Sequence, residues 1–107
     1  MTWRIEISKV AKQSLLEIEN YIADVLQEPA TAEKQLHRIR DAIRKLDHFP
    51  LRHQLYEYEP WHGLGFRVFP VDNYLIFYLP NEEVETVIIS HIIYGARDIP
   101  AQLEKIE

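Results

Sequence analysis

At 107 residues the chain has room for one hydrophobic core, since a chain of this size buries roughly two-thirds of the surface it exposes when unfolded. Its 47% hydrophobic and 27% charged residues exclude a disordered chain, and the absence of cysteine excludes both a disulfide framework and a thiolate metal site. The net charge of −5 is uneven: residues 1–54 carry nine Lys/Arg and eight Asp/Glu, residues 55–107 only three against nine, too few cations for a generic grip on phosphates.

The start, Met1-Thr2-Trp3-Arg4-Ile5-Glu6, lacks the apolar run of a signal peptide, and nothing later approaches the roughly 18 apolar residues of a membrane span. A cytoplasmic protein without membrane association is expected. Trp3, Ile5 and Ile7 alternate with polar residues, the period of a half-buried strand. Ala11, Leu15, Ile18, Ile22 and Val25 then recur at steps of four and three, one stripe on a helix with Ser8 placed as its N-cap. Gln27, Glu28 and Pro29 close it, because proline disfavours helical geometry in the residue before it. Ala32, Leu36, Ile39, Ile43 and Leu46 form a second stripe, with Thr31 as cap and Lys34, Arg38, Arg40, Asp41, Arg44 and Lys45 on the wet side. Two such helices joined by a few residues make an antiparallel hairpin whose stripes need a sheet to cover them.

Residues 49–65 hold Pro50, Pro60, Gly63 and Gly65 and show no period. Strands are expected over 66–69, over 73–79, nearly continuously apolar as a central strand is, and over 84–93, rich in Val, Ile and Thr. Turns at Val71-Asp72 and Asn81-Glu82-Glu83 join them as antiparallel hairpins, and Pro70 suits a strand's end or edge. After Gly95, Asp98 caps a short final helix running through Leu103. The expected fold is α+β in a single domain over 1–107: strand-helix-helix-strand-strand-strand with a short C-terminal helix, the helical hairpin packed on one face of a mainly antiparallel four-stranded sheet.

Three strings stand along this pattern: Leu46-Asp47-His48-Phe49-Pro50; Gly65-Phe66-Arg67-Val68-Phe69, leading into Asn73-Tyr74-Leu75-Ile76-Phe77-Tyr78; and Ile93-Tyr94-Gly95-Ala96-Arg97-Asp98. In this order and spacing they resemble the RelE/ParE toxin superfamily of type II toxin–antitoxin systems over nearly the whole chain. The wording is closer to the ParE-like branch than to the RelE branch, whose central strand typically carries an arginine near its start. The resemblance implies a growth-inhibiting toxin of the plasmid-stabilisation kind, neutralised by a cognate antitoxin that wraps it with a helix and an extended segment. ParE-like members inhibit DNA gyrase, whereas RelE-like members cut messenger RNA in the ribosomal A site.

Fold alone does not choose between these activities, so the site residues must be weighed. Metal-free RNA cleavage needs a proton acceptor for the 2′-hydroxyl, a cation for the phosphate and an acid for the leaving oxygen. The resemblance marks Arg67 and Arg97 as functional, on a phosphate or on a protein target; their structural alternatives are pairing with Glu57, Glu59 or Asp72 for Arg67, and with a neighbouring acid for Arg97. His91 and Tyr94 lie where some RNA-cutting relatives carry acid–base groups, though strand parity puts them on opposite faces. His48, His53 and His62 match no metal-ligand spacing and read as exposed loop residues, and Tyr56 and Trp61 as a cover over the end of the core. No cofactor or metal is expected.

The reading from sequence is therefore a ParE-like toxin acting on a large target, DNA gyrase by family precedent, and held by its antitoxin in a hetero-oligomer, with a homo-oligomer also allowed. The alternatives are a RelE-like ribosome-dependent endoribonuclease using Arg67, Arg97, His91 and Tyr94, and a degenerate toxin that retains only antitoxin binding. The scarcity of cations in the second half weighs against RNA.

Overall fold

In the computed structural model, which describes residues 2–95 and 97–105, the alternating residues at the start form strand β1 (Arg4–Ile7). Met1, and Ala96 of the 93–98 string, lie outside the described residues. Ser8 ends the strand and begins helix α1 (Lys9–Asn20): its hydroxyl oxygen accepts from the Ala11 amide at 3.0 Å, the N-cap expected of it. The same hydroxyl donates to the Ser90 carbonyl at 2.7 Å, so one side chain caps a helix and ties it to the last strand.

The first helix changes its winding before it ends. Tyr21–Val25 form a π-helical turn, whose wider pitch carries Val25 off the stripe. Ala11, Leu15, Ile18 and Ile22 are buried as expected, but Val25 is 65% exposed and does not join the core. Gln27 then takes a left-handed φ of 55°, and the Glu28 amide donates to the Ile22 carbonyl at 3.1 Å, closing the helix end. Pro29 opens helix α2 (Pro29–Arg44) at a position where a missing N–H is not needed. Thr31, expected as the cap, therefore sits inside the first turn, its hydroxyl 3.5 Å from the Glu28 carboxylate. Ala32, Leu36, Ile39 and Ile43 are buried, and Leu46 follows them into the core from a 3-10 turn, Lys45–Asp47.

Strands β2 (Arg67–Val71), β3 (Tyr74–Asn81) and β4 (Thr86–Tyr94) complete a four-stranded sheet in the order β1-β4-β3-β2. β2 with β3 and β3 with β4 are antiparallel, as the short turns required, while β1 lies parallel to β4. A parallel neighbour needs a crossover, which the two helices provide. Boundaries shift slightly: β3 runs through Pro80 to Asn81, and Val84 lies in the turn at 65% exposure. The first hairpin turns at Asp72 (φ 54°) and Asn73, held to α2 by Asp72, which accepts from Arg38 at 2.7 Å and Gln35 at 2.9 Å. Pro70 sits on the edge strand, and residues 54–56 cover the outer side of β2 near Arg67, with Val68 donating to Gln54 and Tyr56 to Phe66. The span read as irregular also holds a 3-10 turn, Pro50–Arg52, and one turn of helix, α3 (Trp61–Leu64).

The register of β3 on β4 jumps between Phe77, opposite His91, and Tyr78, opposite Ile89, leaving Ser90 as the extra residue of a bulge. A one-residue insertion reverses which side each later residue faces. Val87, Ile89 and, beyond the bulge, Ile92 therefore join one core cluster with Ile76, Tyr78 and the stripes of α1 and α2. Ile93 joins a second cluster with Phe77 and Leu103 of the final helix α4 (Ile99–Leu103), onto which Tyr56 and Trp61 pack. Asp98 caps α4 as expected, accepting from the Ala101 amide at 3.3 Å.

Ser8→Ala removes the helix cap and the Ser90 tether together. It is expected to destabilise the protein by about 1 to 2 kcal/mol, a loss typical of a buried-side cap, measured as a lowered midpoint in urea unfolding with an unchanged slope.

Candidate functional site

β1 stops pairing with β4 at Ile89, but β4 continues to Tyr94. Residues 91–94 thus have no strand on that side among the described residues, and an unpaired strand edge is a template for another chain. Alongside this edge runs a groove of about 1100 Å³, walled by Lys9, Val10, Gln13, Ser14, Glu17 and Tyr21 from the first helical stretch and by Gln102 and Lys105 from the C-terminal end. Tyr74, His91, Tyr94 and Arg97 also line it. Among the described residues its lining carries three cations, Lys9, Arg97 and Lys105, against one acid, Glu17, in a chain whose net charge is −5.

Three of the four sequence-predicted site residues meet here. His91 and Tyr94 face opposite sides of the strand, as parity required, since His91 pairs with Phe77 and Tyr94 with Tyr74. Both still line the groove, because it follows the strand's edge and not one face. Tyr94 meets Tyr74 edge to face with ring centroids 5.6 Å apart, and burial, then the neighbouring Tyr94 hydroxyl, raises the Tyr74 pKa. Tyr21 and Tyr74 were not singled out in the sequence as site residues. The change of winding that begins at Tyr21 leaves no mark in the residue pattern, and Tyr74 read as part of an apolar strand.

His91 is buried, with Nε2 2.9 Å from the Lys105 carbonyl. A carbonyl only accepts, so Nε2 carries the proton and Nδ1 is a bare acceptor, buried with no partner among the described residues. Protonation would create a buried N–H with nothing to receive it. Burial accordingly lowers the His91 pKa, and the charge of Lys105 adds to this against the opposing carbonyl bond.

Arg67 lies elsewhere. It pairs with Tyr78 in the sheet register, four residues along from the row in which Val71, Tyr74 and Tyr94 stand side by side, a separation of about 13 Å at ~3.3 Å per residue. It does not line the groove. Its Nη1 donates to the carbonyls of His53 at 2.6 Å and Leu51 at 3.2 Å, and among the described residues it pairs with none of the acids weighed for it. The loop histidines have local partners: His48 meets Asp47 at 2.7 Å, His62 lies 2.8 Å from the Tyr56 carbonyl, and His53 stacks on Phe69 with centroids 4.2 Å apart. Among the described residues no group of three or more His, Asp or Glu could hold a metal ion. No helix there is long and apolar enough to cross a membrane.

A family model described as the ParE toxin of type II toxin–antitoxin system, parDE, matches residues 5–99. Among solved structures, the chain is similar to a chromosomal ParDE toxin–antitoxin system from P. aeruginosa, with a TM-score of 0.71, 17% identity, and coverage of 87% of this chain and 96% of that one. It is also similar to the RelBE2 toxin–antitoxin complex from Mycobacterium tuberculosis, with a TM-score of 0.65, 17% identity and coverage of 91% and 95%. An archaeal RelE–RelB complex from Pyrococcus horikoshii gives a TM-score of 0.60 at 15% identity, with coverage of 92% and 100%. At these identities the structural likeness speaks for the fold alone. A search of curated proteins returns no match.

Because the folded chain holds His91 neutral more strongly than the unfolded chain does, its share of stability is intact above the ordinary histidine value of about 6.5. That share is lost as pH falls from there through the lower folded value. His91→Gln is expected to flatten part of this decline in melting temperature between pH 7 and pH 5. His53, whose pKa is also lowered by burial and by Arg52, contributes to the slope that remains.

Proposed function

This chain belongs to the ParE toxin family of type II toxin–antitoxin systems, and from that premise we propose that it is a growth-inhibiting cytoplasmic toxin, acting as one domain over 1–107. It works by binding a large target, with DNA gyrase the family precedent, and is neutralised by a cognate antitoxin. The observation that carries the antitoxin half of this reading is the open edge of β4 beside a cation-rimmed groove. An extended antitoxin segment would add as a strand along residues 91–94, its main chain supplying the hydrogen bonds β1 does not, with carboxylates meeting Arg97 and Lys105. In this reading the helical hairpin covers one face of the sheet, supported by the cluster that joins both stripes to Ile76, Tyr78, Val87 and Ile89. A toxin–antitoxin hetero-oligomer follows, and nothing in the reading calls for a cofactor.

The ribosome-dependent endoribonuclease reading has one observation in its favour: Arg97, Tyr94 and His91 share a groove. Two weigh against it. Arg67, the expected phosphate cation, is engaged by two loop carbonyls away from that groove. His91 holds its one transferable proton on Nε2, on a backbone carbonyl, where it cannot reach a substrate. A degenerate toxin that retains only antitoxin binding would keep the groove and lose the rest.

Inducible expression in a bacterial host separates the three. Growth arrest with intact messages and an induced DNA-damage response is expected; codon-phased message cleavage would support the nuclease, and normal growth the degenerate form. Arg97→Glu, reversing one charge on the groove's rim, is expected to weaken antitoxin rescue about tenfold or more, read as the antitoxin expression needed to restore growth.

A further inference from the structure

The loop of residues 48–53 leads from α2 to the outer side of β2, at the Arg67 end of the sheet and outside the groove. Phe49 at its apex is 80% exposed, the highest value among the exposed large apolar residues described. Its backbone is left-handed, φ 49° and ψ 56°, a region that a bulky side chain occupies only when its surroundings impose it. Those surroundings are specific. The hydroxyl of Tyr78, a fully buried side chain, donates to the Pro50 carbonyl at 2.6 Å. Arg67 holds the carbonyls of Leu51 and His53, and does so with its Nε buried and unpartnered among the described residues. His53 is clamped by stacking on Phe69, and Arg52 donates to the His48 carbonyl at 3.1 Å. A buried hydroxyl, a guanidinium and an aromatic stack are thus committed to a loop that lifts a phenylalanine into water.

We infer that Phe49 is the anchor by which this toxin grips a protein target, entering an apolar pocket with an acidic rim, and that Arg67 and Tyr78 are positioning residues that hold it there. This rests on the toxin reading above. The acidic rim follows from charge: Arg52, three residues from Phe49, pairs with no carboxylate among the described residues, its guanidinium meeting only the His48 carbonyl and the His53 ring. A nucleic acid fits less well. Arg44 and Lys45 are already drawn to Asp41, at 3.6 and 3.2 Å, and the exposed apolar side chain next along the loop is Leu51, which offers no second ring for a base. A rigid aromatic beside an aliphatic residue is the composition of a protein-interface anchor. Arg67 would then matter to toxicity without touching the target.

The test uses the full chain with two variants, Phe49→Ala and Phe49→Gly. Glycine adopts left-handed backbone freely, so Phe49→Gly is expected to keep or raise the melting temperature. Both variants should still co-purify with the antitoxin, whose groove they do not touch. Both should need at least about tenfold more protein to arrest growth, and bind purified DNA gyrase at least about tenfold more weakly; Phe49→Tyr should retain activity. Equal toxicity of wild type and Phe49→Gly overturns the inference, as does a melting temperature that falls in both variants, which would make Phe49 a packing residue. Wild-type binding to duplex DNA or single-stranded RNA that Phe49→Gly loses, with none to gyrase, overturns the protein-pocket assignment. A wild-type chain that fails to arrest growth removes the toxin reading first, and this inference only as its consequence.

Discussion

The pairing of the chain's first strand with its last is the constraint on which the rest depends, and Ser8 is where it is enforced. β1 must stop at Ile7 because Ser8 turns the chain into α1, and its amide makes the last rung, to the Ile89 carbonyl at 3.0 Å. Its hydroxyl then faces both ways, accepting from the helix and donating to Ser90. Ser90 is the bulge residue and its own hydroxyl donates to the Phe77 carbonyl at 3.1 Å, so the inserted residue is bonded on both sides. One junction thereby fixes where the first helix starts, where the last strand's edge opens, and which of its later residues face which core.

Those consequences separate two regions. At the Tyr74–Tyr94 end of the sheet, the early stop of β1 exposes backbone, and helix and C-terminal residues wall it with cations. At the Arg67 end, the edge of β2 is covered by residues 54–56, and the same segment's predecessors are held in a strained loop. An open strand edge suits an extended partner, whereas a fixed protrusion suits a pocket in a rigid one. In the toxin reading proposed above, a silencing partner and a target would be kept apart by this geometry, with β3 and β4 as the connection between them.

How much of this was legible in the sequence follows from how locally each feature is encoded. The helical stripes, the Ser8 and Asp98 caps and the apolar central strand depend on neighbours within a few residues, and they stand where the residues put them. Val25 fails because the π-helical turn changes the period without changing the residue types that define the stripe. Thr31 fails because Pro29, which ends the first helical stretch, also starts the second, and this moves the cap position back to Glu28. The bulge at Ser90 is a register shift between two adjacent strands, and the parallel pairing of β1 joins segments some 80 residues apart; nothing local announces either. For the same reason the sequence could propose Arg67, Arg97, His91 and Tyr94 as one set, but could not see that Arg67 stands apart from the other three.

Charge shows the same contrast between bulk and local quantities. The molecule extends 43 × 31 × 23 Å, while mobile ions screen charges beyond about 8 to 10 Å at physiological ionic strength. A net charge of −5 is therefore not what an approaching segment feels; it feels the charges that line the groove, Arg97 and Lys105 among them. Part of the acidity in the second half is also committed locally, since Glu59 accepts from the Gly63 amide at 2.7 Å. Overall acidity thus loses force as an argument against RNA. What carries that argument instead is position: the guanidinium of Arg67 is spent on two carbonyls, and the one histidine near Arg97 is neutral, buried and turned to the backbone. In the reading proposed above, such a groove suits the binding of an acidic chain better than the cleavage of a phosphodiester.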